Sequence, residues 1–403
     1  MRIACLIVFL CAAAVPAASQ VSTRAEQIQA EREAKAGRLE PDRNSGAERA
    51  LLFIKDTRLL DRFTAGVYGF RLKFGGLATG SGFALGPEYL RSDLADGQLL
   101  FRGSAQASLK KYQLFDLQLA APQLADGRVF FDLSAMHRNF PRTQYYGPGP
   151  DSQKGARSNF RLEDTSYAVM AGVRPLRHLQ LAGTAGYLQV NVGPGTDPRF
   201  ISSERIFSTA QAPGIDVQTD FLRYGALIQY DYRDNAGGPR RGGNYVARYE
   251  RFGDRGLDLH SFGRLDLDAQ QYIPFFNARR VIALRAKSVL TYADSGHRVP
   301  FYLQPTLGGS DDLRGFRPFR FYDDNMVVFN AEYRWETFSG LDMAIFADAG
   351  KVFSRRSQWN VHDLEGSVGV GLRFNVRNSV FLRVDAGFSH EGFQVWVKFN
   401  NVF

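Results

Sequence analysis

Cysteine is nearly missing from this chain, with two among 403 residues. Both, Cys5 and Cys11, fall within the first 20 positions, so nothing beyond Gln20 can be stapled by a disulfide and a small cross-linked scaffold is excluded. Long apolar runs are missing too. The longest, Ile3 to Val15, falls short of the roughly 20 residues a membrane-spanning helix needs, and the mean hydropathy of −0.26 excludes a helical membrane protein. The six histidines (His137, His178, His260, His297, His362 and His390) are scattered without a zinc-binding spacing. No G-x-S-x-G elbow for a nucleophilic serine is present. Neither a metal site, a cofactor nor an enzyme is expected. What the chain does have is 33 Phe, 17 Tyr and 40 Gly. The aromatics exclude a disordered chain, and the glycines lack the period of collagen. A large β protein with half-apolar strands fits this composition.

The first 20 residues have one basic residue (Arg2), an apolar run, Pro16, and the small residues Ala17, Ala18 and Ser19. These are the regions of a secretory signal peptide cleaved near Ser19, so the chain is expected to be exported. Between Gln20 and Asp56 the chain carries seven Lys/Arg and seven Asp/Glu, with no aromatic before Phe53. The segment from Arg24 to Ala36 is built of strong helix formers, then Gly37, Pro41, Asn44 and Gly46 break it. Residues 20–62 therefore read as a charged, partly helical periplasmic leader.

From about residue 63 to Phe403 the pattern has period two. Val368, Val370, Leu372 and Phe374 alternate with Gly369, Gly371 and Arg373. Val380, Leu382, Val384 and Ala386 share one face, and Arg383 and Asp385 the other. Such alternation marks a half-buried antiparallel sheet. Short turns (Asp96-Gly97, Pro122 to Gly127, Pro175 to His178, Asn235 to Gly243, Asn277-Ala278, Arg377-Asn378) interleave with long polar stretches at 141–165, 193–218, 294–325 and 353–365. Short turns at one end and long loops at the other describe an outer-membrane barrel. The reading is all-β: a transmembrane antiparallel β-barrel of about sixteen strands over 63–403, after a signal peptide (1–19) and the leader (20–62). The chain ends on Phe403, inside the last alternating segment, where a terminal aromatic serves as a C-terminal barrel signal.

The long loop before the twelfth strand contains Leu313-Arg314-Gly315-Phe316. Downstream stand Phe346-Ala347-Asp348-Ala349-Gly350 on the thirteenth strand and Gly369-Val370-Gly371-Leu372-Arg373 on the fourteenth. In this order, and with Tyr146-Gly147-Pro148-Gly149 and Glu332-Tyr333-Arg334, they resemble the bacterial surface antigen barrels, the superfamily of BamA, TamA and the two-partner secretion transporters. The first motif is similar to the tip of their sixth extracellular loop. Strand parity puts Asp348 with Asp342 on one face, and Arg373 on the glycine face of its strand. The resemblance implies that Arg314 pairs with Asp348 and locks the loop against the inner wall, with Phe316 beside Phe346 and with Glu332 and Arg373 in the same network. Gly315 is expected to let the loop tip turn tightly.

The resemblance covers the barrel alone. Residues 20–62 are too short for one of the periplasmic POTRA domains of BamA and TamA, so a POTRA-less barrel is expected, and a separate POTRA-bearing or periplasmic partner with it. The implied function is insertion or translocation of proteins or lipids at the bacterial outer membrane. Gly75, Gly76 and Gly80 suit a poorly paired seam between the first and last strands. Two alternatives stay open: a passive pore or structural barrel, and a surface receptor or partner-binding barrel. The net charge of +9 suggests outer-membrane lipids, lipopolysaccharide or anionic solutes as partners rather than nucleic acid. A monomeric barrel is expected.

Overall fold

A computed structural model describes residues 68–376, 379–399 and 403. The expected signal peptide, leader and Arg377-Asn378 turn lie outside the described residues. The strands are β1 (Phe70–Gly75), β2 (Ala84–Leu94), β3 (Leu99–Ser108), β4 (Gln113–Leu124), β5 (Val129–Tyr145), β6 (Ser158–Leu176), β7 (Leu179–Pro194), β8 (Phe221–Asp231), β9 (Gly242–Asp254), β10 (Phe262–Phe275), β11 (Arg280–Ala293), the short β12 (Thr306–Leu307) and β13 (Phe321–Tyr322), β14 (Asn325–Phe338), β15 (Leu341–Phe353), β16 (Glu365–Val376), β17 (Ser379–Ser389) and β18 (Gly392–Lys398). Sixteen of them form one antiparallel meander in chain order, from β1 to β11 and from β14 to β18, while β12 and β13 pair with each other inside the long loop 294–324.

Period-two patterning sets which face meets which medium. Val368, Val370, Val395 and Val397 are each more than half exposed, whereas Arg373, Arg383 and Asp385 on the opposite faces of neighbouring strands are at 0%. An apolar outside around a charged inside is the arrangement of a membrane barrel and the inverse of a soluble sandwich.

Connections alternate as the turn signals require. Ala95-Asp96-Gly97 and Ala125-Asp126-Gly127 repeat one geometry, each with three successive positive φ values (50°, 56°, 81° and 50°, 56°, 79°). The third position sits where only glycine turns without strain. At the other end run the loops 146–157, 195–220, 294–324 and 354–364. The polar stretch 141–165, expected as loop, is shorter than that. After a register shift between Phe140 and Thr143, β5 and β6 stay paired to Tyr145↔Ser158. Tyr145 and Phe160, fully buried there, pack edge-on against Phe301 of loop 294–324, so apolar contact with that loop extends the strands past the polar pattern.

The sheet begins at β1 and ends at β18, and among the described residues no ladder joins these two edges. They meet through rings instead. Phe399 lies edge-on to Phe74 (5.4 Å), Phe83 (5.8 Å) and Phe381 (5.8 Å).

Candidate functional site

Loop 294–324 leaves β11 and folds into the barrel. A single turn of 3-10 helix (Phe301–Leu303) and the β12–β13 ladder stiffen it. Leu307, Leu313, Phe316 and Phe321 then bury against the inward-facing Val289, Met326, Val328 and Val352. This cluster delivers the tip, Ser310 to Phe316, onto the inner faces of β14 to β18.

The tip centres on Arg314, which has no exposed surface. Its Nε donates to Asp348 Oδ2 (2.9 Å), its Nη2 to Asp348 Oδ1 (2.6 Å) and its backbone N–H to Oδ2 (3.1 Å). Nη1 donates to Glu332 Oε1. The guanidinium lies 3.4 Å from the centroid of the Phe346 ring, so the cation has two carboxylates in its plane and an aromatic face against one side. Burial works against its charge, but Glu332 and Asp348 outweigh that and hold its pKa above the ordinary arginine value.

Both carboxylates are shared. Glu332 also accepts from Arg373 Nη2 (2.9 Å) and Arg334 Nε (2.7 Å). Arg373 Nη1 continues to Asp385 Oδ1 (2.5 Å), whose Oδ2 pairs with Arg383 (3.3 Å). Arg383 returns to the loop, donating to the Ser310 carbonyl (3.0 Å) and to Asp311 Oδ1 (3.1 Å). Asp348 further accepts from Asn330 Nδ2 (2.8 Å) and Ser367 Oγ (3.3 Å). Four guanidiniums and four carboxylates thus form a closed circuit running from the loop across β14 to β17 and back. Apart from the half-exposed Asp311 these charges are desolvated, which is tolerable only when they are paired and hydrogen-bonded in this way.

Glycines clear the space. A Cβ on Gly315 would stand 2.6 Å from Ser367 Cβ and 2.7 Å from the Phe388 carbonyl oxygen. One on Gly387 would strike the Arg314 carbonyl, one on Gly369 the Phe346 ring, and one on Gly371 the Asp385 carboxylate. Gly350 serves the wall itself, where a Cβ would lie 2.7 Å from the Val327 carbonyl oxygen.

The loop also reaches both edges of the seam. Trp396 Nε1 of β18 donates to the Arg314 carbonyl (2.8 Å), and Lys398 Nζ lies 4.0 Å from Asp311 Oδ2. On the other edge, Thr79 Oγ1, in the connection after β1, donates to Asp311 Oδ2 (3.4 Å), and a Cβ on Gly80 would stand 3.1 Å from Pro318.

The structure therefore places Leu313, Arg314, Gly315, Phe316, Asp348, Phe346, Arg373, Glu332, Gly350, Gly369 and Gly371 in one region. Three details differ from expectation. Gly315 is needed for close approach to β16 and β17, its φ lying outside the left-handed region. Phe346 lies under Arg314, so Phe316 packs elsewhere, against Phe321 (5.4 Å) and His390 (5.5 Å). Phe403 is in no strand. Its ring is buried with Tyr272, Val281 and Ala283 on the inner wall of β10 and β11, beneath Arg334 (5.5 Å) and Arg285 (5.8 Å), where cation–π contact replaces strand-end packing. Sequence reasoning missed Asp311, Asn330, Ser367, Arg383, Asp385 and Trp396. The parity that puts Arg383 and Asp385 inward was the signal available for that pair.

Comparison with known proteins agrees with this geometry. No curated protein matches the chain in sequence. Among solved structures, BamA from Haemophilus ducreyi lacking POTRA domains 1–3 superposes with a TM-score of 0.62 at 14% identity, over 83% of this chain and 70% of that one. CdiB from Escherichia coli superposes with a TM-score of 0.56 at 13% identity, over 83% of this chain and 62% of that one. These likenesses establish the fold. Residues 99–388 match the model of the Omp85 superfamily domain, and with most of its barrel inside that match the chain belongs to the Omp85 superfamily.

Proposed function

We propose that this outer-membrane barrel assists insertion or translocation of proteins or lipids, working through a seam that opens between β1 and β18 and is restrained from within by loop 294–324. One observation carries this reading: the loop held by Arg314 to β14 and β15 is the same loop that touches both edges of the one junction without a ladder among the described residues. Sheet edges lacking hydrogen bonds are reactive toward an incoming strand. An edge pair closed by aromatic rings and an internal loop can be opened at a fraction of the cost of breaking a ladder. The work proposed needs no catalytic side chain. A loop core packed inside the lumen argues for a gated barrel over a permanently open pore. Membership of the Omp85 superfamily supports the same class of activity.

The test is reconstitution in liposomes with an unfolded outer-membrane barrel as client. Arg314→Ala and Asp348→Asn should each change the rate of client insertion while the barrel keeps its heat-modifiable electrophoretic mobility. Unchanged insertion in both variants would overturn the reading.

A further inference from the structure

The charge circuit occupies the side of the lumen lined by β14 to β17. On the adjoining wall, along the inner faces of β5 to β11, lies a cavity of about 430 Å³ to which the loop contributes Leu303. Arg248 of β9 and Lys287 of β11 both line it. The register sets Arg248 opposite Asp266 and Lys287 opposite Asp268, the cross-strand arrangement that ordinarily yields two ion pairs.

Neither pair forms, because both carboxylates are already taken. Asp266 is held by Arg264, with Nε–Oδ2 and Nη2–Oδ1 both at 3.0 Å. Asp268 is held by Arg285, with Nη2–Oδ2 at 2.6 Å and Nε to both oxygens at 3.1 Å. Asp312, the loop carboxylate whose field reaches Lys287, spends Oδ1 on the backbone N–H groups of Gly308 (2.9 Å) and Leu313 (2.7 Å). The remaining acids of the cavity are matched as well, Asp164 by Arg138 (2.5 Å) and Glu250 by Arg223 (3.6 Å). Arg248 and Lys287 are left without an ion pair or side-chain hydrogen bond among the described residues. The Nε of Arg223 has no acceptor either.

We propose that this cavity binds a phosphate-class oxyanion between Arg248 and Lys287. A planar guanidinium from β9 and a compact ammonium from β11, both lining the one cavity, supply both geometries that phosphate oxygens accept. The volume leaves room for a glycerol- or sugar-sized substituent, so free phosphate and a phosphorylated headgroup are two sources of one chemistry. The site is read by binding in the absence of any client, so failure of the proposed function and failure of this site are separable.

The experiment is calorimetric titration of the full-length protein in zwitterionic detergent at fixed ionic strength. Inorganic phosphate, glycerol 3-phosphate and dihexanoyl phosphatidylglycerol form three arms, with chloride as control. Saturable binding of at least one phosphate arm is expected, weakened about tenfold or more in Arg248→Gln and further in the double variant with Lys287→Gln. The tightest arm identifies the source. Arg248 projects into the open lumen, so its variant preserves the fold even where Lys287→Gln does not. No saturable binding in any phosphate arm, or equal affinity in wild type and Arg248→Gln, would overturn the proposal.

Discussion

The Arg314 guanidinium and the Asp348 carboxylate meet edge to edge through two parallel bonds of 2.9 and 2.6 Å, 34 positions apart in sequence and fully out of solvent. Removing one partner of such a buried pair strands the other, a loss of about 3–5 kcal/mol. Arg314→Ala strands two carboxylates and should be at the upper end of that range. Asp348→Asn keeps an acceptor oxygen and should cost less. Urea unfolding of both single variants and the double variant measures this. The double variant should be more stable than the sum of the singles implies, and simple additivity would mean the pair is not coupled.

Gly315 offers a subtler lever, since it changes shape without touching charge. Its Cβ would collide with Ser367 Cβ and with backbone at Phe388, and backbone cannot step aside. Gly315→Ala should therefore lift the tip and expose Arg320, buried in the wild type, to trypsin in the folded barrel. Ser367→Gly should not rescue it, because the clash with Phe388 stays. Trypsin resistance equal to wild type would show that the wall yields.

How far these features were legible beforehand depended on how local their cause is. Alternation placed sixteen strands and put Asp348, Arg373, Arg383 and Asp385 on inward faces, because a pleated strand fixes side-chain direction with no reference to its neighbours. Which inward charges touch is set by stagger between strands and by how deep loop 294–324 descends, and neither is written in a single strand. Arg383 therefore read as one more charge in the lumen. The continuation of β5 and β6 past residue 140 was hidden for a similar reason, since the apolar partners that stabilise it, Phe301 and Tyr322, lie more than 140 positions away. Phe403 shows the opposite failure, where a strand pattern was extended onto a residue that the structure buries against Tyr272.

At the seam, Phe399 contacts three rings that come from β1, the connection after it, and β17. Each aromatic pair is worth about 0.5–1.5 kcal/mol beyond its buried area. Phe399→Ala should accordingly lower the barrier to parting β1 from β18 while leaving the loop circuit in place. In planar bilayers the variant should show more frequent brief high-conductance openings than wild type. If openings rise in Arg314→Ala and not in Phe399→Ala, the rings are packing only and the loop alone holds the junction.

The packing of loop 294–324 should also depend on pH, in a direction opposite to that of an ordinary salt-bridged acid. Burial raises the carboxyl of Asp312 to about 6, and that of Asp323, in the same loop, also to about 6. An acid whose folded value lies above its unfolded value of 3.8 binds more protons folded than unfolded between those two limits. Stability is thus gained as pH falls through 6 and given up again as it rises toward 7. Hydrogen exchange across residues 305–324 should be slower at pH 5 than at pH 7.5, after correction for intrinsic rates. Asp312→Asn resembles the protonated acid and keeps the oxygen that accepts from Gly308 and Leu313, so it should flatten much of that dependence and protect the loop at the higher pH. Exchange that speeds up on acidification, in wild type and variant alike, would mean that the carboxylates of the circuit dominate the loop's response to protons and that Asp312 does not.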